Sequence, residues 1–246
     1  MKNKTLFLAL LLVSSFSFGS TWSVYEFQAK QSKAPAVAAA LDKFMQSDVG
    51  KSMPGAVHLN ATLFGGTSSA THAFVLLFPD LSTQMKWQET VPASKAGQEF
   101  AATMDKLAVP VANWSNLMLK SWGTASNKDR FFQVTRFYTA DPMAVLAAQE
   151  KLMADPAMAD FPGQVGLSQT GFGTRLGANG ATTTHVFTVG FESIEEMEKW
   201  GNYLNTQPAW GEYLQSLNGV VTPMGTELVT NAAIYDSQMD LETFLK

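Results

Sequence analysis

Between Thr71 and Phe78 the chain reads Thr-His-Ala-Phe-Val-Leu-Leu-Phe. Side chains alternate faces along a strand, so His72, Phe74, Leu76 and Phe78 share one face and Ala73, Val75 and Leu77 the other. Both rows are mainly apolar, and a strand of that kind has to be covered on both sides. The pattern returns at Thr184–Phe191. Thr, His, Phe, Phe, Lys and Trp recur at the same offsets, ending at Trp87 in one copy and Trp200 in the other. Two of the three histidines thus stand fifteen residues before a Trp. Self-similarity of this kind reads as a tandem duplication.

The flanking patterns repeat in the same order. In the first copy, Trp22 to Lys30 reads as a strand, Ala36 to Gln46 as a helix and Ala56 to Phe64 as a strand. Thr71 to Phe78 is the third strand. A helix interrupted near Pro92 then runs from Leu81 to Leu107, Pro110 ends that region, and Asn113 to Trp122 is a final strand. In the second copy the strands are Phe131 to Tyr138, Val165 to Phe172, Thr184 to Phe191 and Gly225 to Ala233. The helices are Met143 to Met153, with Asp141 as cap and Pro142 as first residue, and Ile194 to Leu217, interrupted near Pro208. Met53-Pro54-Gly55 corresponds to Phe161-Pro162-Gly163, and the second hairpin loop, Thr174 to Ala181, is longer by five residues. The expected division is a signal peptide at 1–19, a first ferredoxin-like repeat at 20–123, a linker at 124–129, a second repeat at 130–236 and a tail at 237–246.

Each half therefore reads β-α-β-β-α-β, the ferredoxin-like order, in the α+β class. Two helices cover one sheet face, and the second half supplies the cover for the other. The expected architecture is two antiparallel sheets packed face to face as an intrachain α/β barrel, helices outside.

Composition changes this picture in three respects. Lys2, Lys4, the apolar run Leu6–Val13 and the small residues Ser17 and Gly19 predict a secretory signal cut after Gly19, so the protein is expected to be periplasmic or secreted. Removing Lys2 and Lys4 moves the net charge from −4 to −6, and no basic cluster of the kind that tracks phosphates is present, which argues against nucleic acid. There is no Cys and hence no disulfide. No other apolar run is long enough for a membrane span, and further oligomers remain open.

The motif Thr184-His185, Val189 and Phe191-Glu192-Ser193 resembles the stress-responsive dimeric α/β-barrel family, which includes a plant polyketide cyclase, and more broadly the antibiotic-biosynthesis monooxygenase-like barrels. The resemblance implies that His72 with Trp87, and His185 with Trp200, point into a cavity, where an imidazole would act as a general base. The cyclase's second cavity histidine follows a Pro-Ala pair. Here Pro208-Ala209 is followed by Trp210, and Pro92-Ala93 by Ser94. Its first-strand histidine is also absent, so the acid/base set is incomplete.

The candidate catalytic residues are thus His72 and His185, each with an alternative role ordering the start of its strand. Trp87, Trp200, Trp210, Phe74 and Phe187 are the candidate lining of an apolar pocket between the sheets, or plain core. His58 has Gly166 as its counterpart in the second half, so it is not part of the repeat, and it reads as an ordinary surface or core histidine. No metal spacing, phosphate loop or nucleophile elbow is present. His185 as a haem ligand has no supporting motif around it, and no cofactor is expected. Three readings stay open: a protein that binds a small apolar or aromatic ligand, a cofactor-independent monooxygenase or cyclase, and a structural or envelope-stress protein without a ligand.

Overall fold

The computed structural model describes residues 19–123, 128–173 and 182–236. The predicted signal segment (but for Gly19), most of the linker, the longer hairpin loop and the C-terminal tail lie outside the described residues. The elements in chain order are β1 (Thr21–Ala29), α1 (Ala34–Met45), α2 (Asp48–Lys51), β2 (Ala56–Phe64), β3 (His72–Phe78), α3 (Leu81–Ala93), α4 (Lys95–Leu107) and β4 (Ala108–Gly123). They continue with β5 (Phe131–Thr139), α5 (Pro142–Met153), β6 (Gln164–Phe172), β7 (His185–Phe191), α6 (Ile194–Leu204), α7 (Pro208–Leu217) and β8 (Val221–Asp236).

All eight strands pair antiparallel in the order β1-β3-β2-β8-β5-β7-β6-β4, and β4 returns to β1 to close a barrel. The first half supplies the arc β4-β1-β3-β2 and the second the arc β8-β5-β7-β6. Their seams are the hydrogen-bonded pairs β2–β8 and β4–β6. The two sheets therefore meet edge to edge, and their inner faces oppose one another across one continuous barrel. Closure leaves no unpaired strand edge.

The alternation in β3 sets the layers. Leu76 and Phe78 join α1 and Trp87 in a core outside the barrel, with Phe74 packed against it. Leu77 belongs to the cluster inside, flanked by Ala73 and Val75. The bulky row faces the helices, where there is width to fill, and the smaller row faces the barrel axis. Asp80, Ser94, Asp141 and Ser193 cap α3, α4, α5 and α6 by accepting a backbone N–H three residues on. The repeated Pro-Gly turns have a steric reason. A Cβ on Gly55 would collide with the Leu77 carbonyl oxygen, and one on Gly163 with that of Gly190, so each glycine lets the chain pass close over the adjacent strand.

Two strands are longer than the sequence pattern suggests. β4 begins at Ala108 and β8 at Val221, each running through a proline. Pro110 pairs with Phe27, and Pro223 with Phe137, and each sits at a register shift. A bulge removes the ladder bond that a proline cannot make, so the strand continues past it.

Candidate functional site

Two pockets lie between the barrel's outer face and its helices, one in each half. The second-half pocket measures about 820 Å³, with Phe187 and Phe137 on the sheet and Trp200, Trp210 and Tyr213 on α6 and α7. Trp200 lies between Phe161 at 5.2 Å and Tyr203 at 5.0 Å, and Trp210 stacks on Tyr213 at 5.3 Å. The Trp200 indole N–H is buried and has no hydrogen-bond partner among the described residues. A buried donor of this kind is costly to leave unmet, which makes it a natural contact for a bound acceptor.

The first-half pocket is smaller, about 640 Å³, and Phe74 and Trp87 line it. Phe74 packs on Phe27 at 4.8 Å and Phe100 at 5.7 Å. Trp87 is buried against Phe44 and Phe78, and its indole N–H donates to the Val49 carbonyl at 3.5 Å. Gln88 donates to the Tyr25 hydroxyl at 2.6 Å on the same wall, and burial holds that phenol above its ordinary pKa.

The five sequence-predicted pocket residues thus fall into two groups, Phe74 with Trp87 and Phe187 with Trp200 and Trp210. None of them lies between the sheets. The expected location is corrected: Phe74 and Phe187 belong to the helix-facing row of their strands, and Trp87, Trp200 and Trp210 sit on the covering helices.

The two histidines follow the same rule. Burial lowers the pKa of both His72 and His185. His72 pairs in register with Phe27 and stacks on its ring at 5.8 Å; His185 pairs with Phe137 and stacks at 5.6 Å. Each Nδ1 is 2.9 Å from the hydroxyl of the preceding threonine, Thr71 or Thr184. Those threonines in turn bond the backbone of the neighbouring strand, at Ala29 and Thr139. Neither histidine faces the barrel interior, which corrects the expected cavity placement. His185 is 4% exposed, and its Nε2 has no partner among the described residues. It stands two residues from Phe187 on the same strand face.

The barrel interior holds polar groups that the sequence reading passed over. Arg136 bonds Glu227 at 2.7 Å, approaches Glu26 at 3.9 Å and lies over the Trp114 ring at 4.8 Å. His58, Asn60, Asp129 and Asn231 line the same cavity of about 140 Å³. Burial lowers the His58 imidazole to about 4. Burial, with Glu196 and Glu192 adding to it, raises the Asp129 carboxyl to about 7. A signal for part of this was present: Glu26 and Arg136 are single charges in apolar strands, each directly before the matching Phe27 and Phe137. Among the described residues, no group of three or more His, Cys, Asp or Glu side chains is placed to hold a metal ion. No helix there is long and apolar enough to cross a membrane.

No protein-family model matches the chain, and no curated protein matches it. Solved structures do. A protein from Lactobacillus acidophilus NCFM, provisionally assigned as a monooxygenase, superposes with a TM-score of 0.62 over 89% of this chain and 97% of its own, at 11% identity. A provisionally assigned monooxygenase from Fusobacterium nucleatum gives 0.61 over 89% and 95%, also at 11% identity. An anthrone oxidase-like protein gives 0.58 over 91% and 95%, at 10% identity. At such identities the likeness shows the fold: a ferredoxin-like α/β barrel, as the sequence resemblance implies.

Proposed function

We propose that the protein holds a small apolar or aromatic molecule between sheet and helices in its second half. The observation that carries this reading is the 820 Å³ pocket walled by Phe187, Trp200 and Trp210, with the unpartnered Trp200 N–H as its polar contact. Pockets of this size and lining suit a flat apolar ligand with one acceptor. Calorimetric titration with 1-naphthol tests it. Saturable binding to the native protein, lost in Leu204→Trp, which fills the pocket, is the expected result. Equal binding to both proteins, or none to either, contradicts it.

A second reading, cofactor-independent oxygenation of such a molecule, draws on the likeness to the assigned monooxygenases and to the anthrone oxidase-like protein. It needs a base beside the substrate. The candidate is His185, held neutral by burial and with Nε2 free; it stands behind the pocket wall, stacked on the lining residue Phe137. Oxygen uptake with anthrone that disappears in His185→Gln supports this reading, and uptake unchanged by the substitution removes it.

The matching element order, the paired Pro-Gly turns and the paired proline bulges support reading the halves as a duplicated ferredoxin-like unit. The N-terminal 1–19 segment is read as an export signal, so the mature protein begins at Ser20. N-terminal sequencing of exported protein that starts elsewhere contradicts that.

A further inference from the structure

The second site is inside the barrel, independent of the sheet–helix pocket. Asn60 on β2 and Asn231 on β8 are register partners across a seam, and the Asn231 amide donates to the Asp129 backbone carbonyl at 3.3 Å. His58 is two residues before Asn60 on the same face of β2. These four side chains are at most 9% exposed: His58 8%, Asn60 9%, Asp129 3% and Asn231 6%. Each lines the cavity, and His58 Nε2, Asn60 Oδ1, Asp129 Oδ1 and Asn231 Oδ1 have no hydrogen-bond partner among the described residues.

The two amide oxygens accept only, and the Asp129 oxygen joins them once its carboxyl, raised to about 7, has lost its proton. The Asn231 oxygen is fixed as the acceptor because its nitrogen is already donating. Buried acceptors are normally satisfied, so this group calls for a partner rich in N–H or O–H donors. Charge narrows the choice further. The cavity wall carries one guanidinium, Arg136, against the carboxyl groups of Glu26, Asp129 and Glu227. Arg136 is engaged by Glu26 and Glu227 at the other end of its strand. Glu192 and Glu196 add negative potential at Asp129. Metal binding is disfavoured, since no cluster of three ligating side chains is present among the described residues. Size sets the last limit: a cavity of about 150 Å³ admits one benzene ring, so about 140 Å³ holds a molecule of some four to six heavy atoms.

We propose that the end of the barrel formed by His58, Asn60, Asp129 and Asn231 binds a compact planar organic cation of the amidinium or guanidinium class. Its fork of N–H groups suits the two amide oxygens and the carboxylate, and above about pH 7, where Asp129 is ionised, charge-assisted bonds to it supply the strongest contact. The position also explains a glycine. A Cβ on Gly190 would collide with the Asp129 carboxylate, whereas the matching place in the first half holds Leu77. The second half makes room for the acid.

Three isosteric probes separate charge from shape: acetamidinium, acetamide and acetate. Each is titrated into isotopically labelled full-length protein while the side-chain nitrogen resonances of His58, Asn60 and Asn231 are followed. Acetamidinium is expected to shift all three saturably, acetamide at least about tenfold more weakly, and acetate not at all, tenfold being the weight of one charge-assisted hydrogen bond. Asp129→Asn, which keeps the volume, is expected to weaken acetamidinium by about tenfold or more. If that variant fails to fold, the isosteric series on the native protein decides alone. Absence of saturable shifts, or acetate binding as well as acetamidinium, overturns the proposal. The 1-naphthol pocket can fail or hold without affecting this result, because its walls are on the other face of the sheet.

Discussion

The two halves carry the same order of elements but pack their helix layers differently. In the first half one continuous cluster of twelve buried residues runs from Phe27 through α1 to Trp87. In the second half the corresponding layer is split into two clusters with three buried residues each, one around Phe137 and one around Tyr213. Helix length is part of the cause. The helices α3 and α4 have 13 residues each, whereas α6 and α7 have 11 and 10. The first half also inserts α2, whose Val49 carbonyl receives the Trp87 indole. Shorter helices cover less of the sheet, and the uncovered width becomes the larger pocket. A repeated pattern thus fixes the fold twice, while the length of the covering helices decides which copy keeps the larger pocket.

The inner faces diverge as well. Glu26 and Arg136 occupy matching positions and carry opposite charges, so they attract across the barrel. Two identical halves would place like charges there. Replacing Arg136 by Met therefore has the largest expected effect, about 3–5 kcal/mol, because it leaves Glu26 and Glu227 buried without their partner. Urea denaturation measures it, and a loss below about 1 kcal/mol would mean that the charges are not desolvated.

The two tryptophans test the comparison of the outer layers. Trp87→Ala opens a packed core and is expected to cost about 3 kcal/mol, near the usual range for large-to-small core changes. Trp200→Ala removes a side chain that is less buried and borders the larger pocket, and is expected to cost less, roughly 1–2 kcal/mol. Equal losses in the two variants would erase the distinction between the more tightly and the more loosely packed half.

The next contrast is between His58 of the first half and Asp129 of the second. The folded state holds His58 at about 4, below its ordinary 6.5, so the unfolded chain binds more protons between those values and stability from this group rises with pH. The folded state holds Asp129 at about 7, above its ordinary 3.8, so the folded chain binds the extra proton and stability from this group falls as pH rises through that window. The two slopes oppose one another from about pH 4 to 6.5. His72 and His185, also lowered by burial, add slopes of the same sign as His58. In urea denaturation Asp129→Asn should therefore show stability rising more steeply with pH than native protein over that window, and His58→Leu less steeply. Parallel profiles in all three proteins would contradict these assignments.

Much of the fold was legible because burial on two faces leaves a strong mark. The His72–Phe78 and His185–Phe191 rows gave the third strand of each half, and Met53-Pro54-Gly55 gave the turn before β2. The strand starts at Ala108 and Val221 were not legible, because Pro110 and Pro223 read as breaks when the bulge that accommodates them is a tertiary feature. The aromatic residues singled out in the sequence fall into two groups, one per half, and which side of the sheet they face was not legible. Alternation says that His72 and Ala73 point opposite ways; it does not say which way is inward. The interior group was missed for a different reason. His58 and Asn60 share β2, but Asp129 and Asn231 are far from them in the chain, and only the β2–β8 seam brings Asn231 beside Asn60.

The claim that most of this depends on is that the larger, second-half pocket, and not the smaller first-half one, takes the aromatic ligand. Fluorine NMR of protein labelled with fluorotryptophan reads both halves and the barrel interior at once while 1-naphthol is added. The Trp200 and Trp210 resonances should move together and saturate, with Trp87, Trp22 and Trp114 unmoved. Movement of Trp87 to the same extent at the same concentrations, or movement of the interior pair alone, would contradict it.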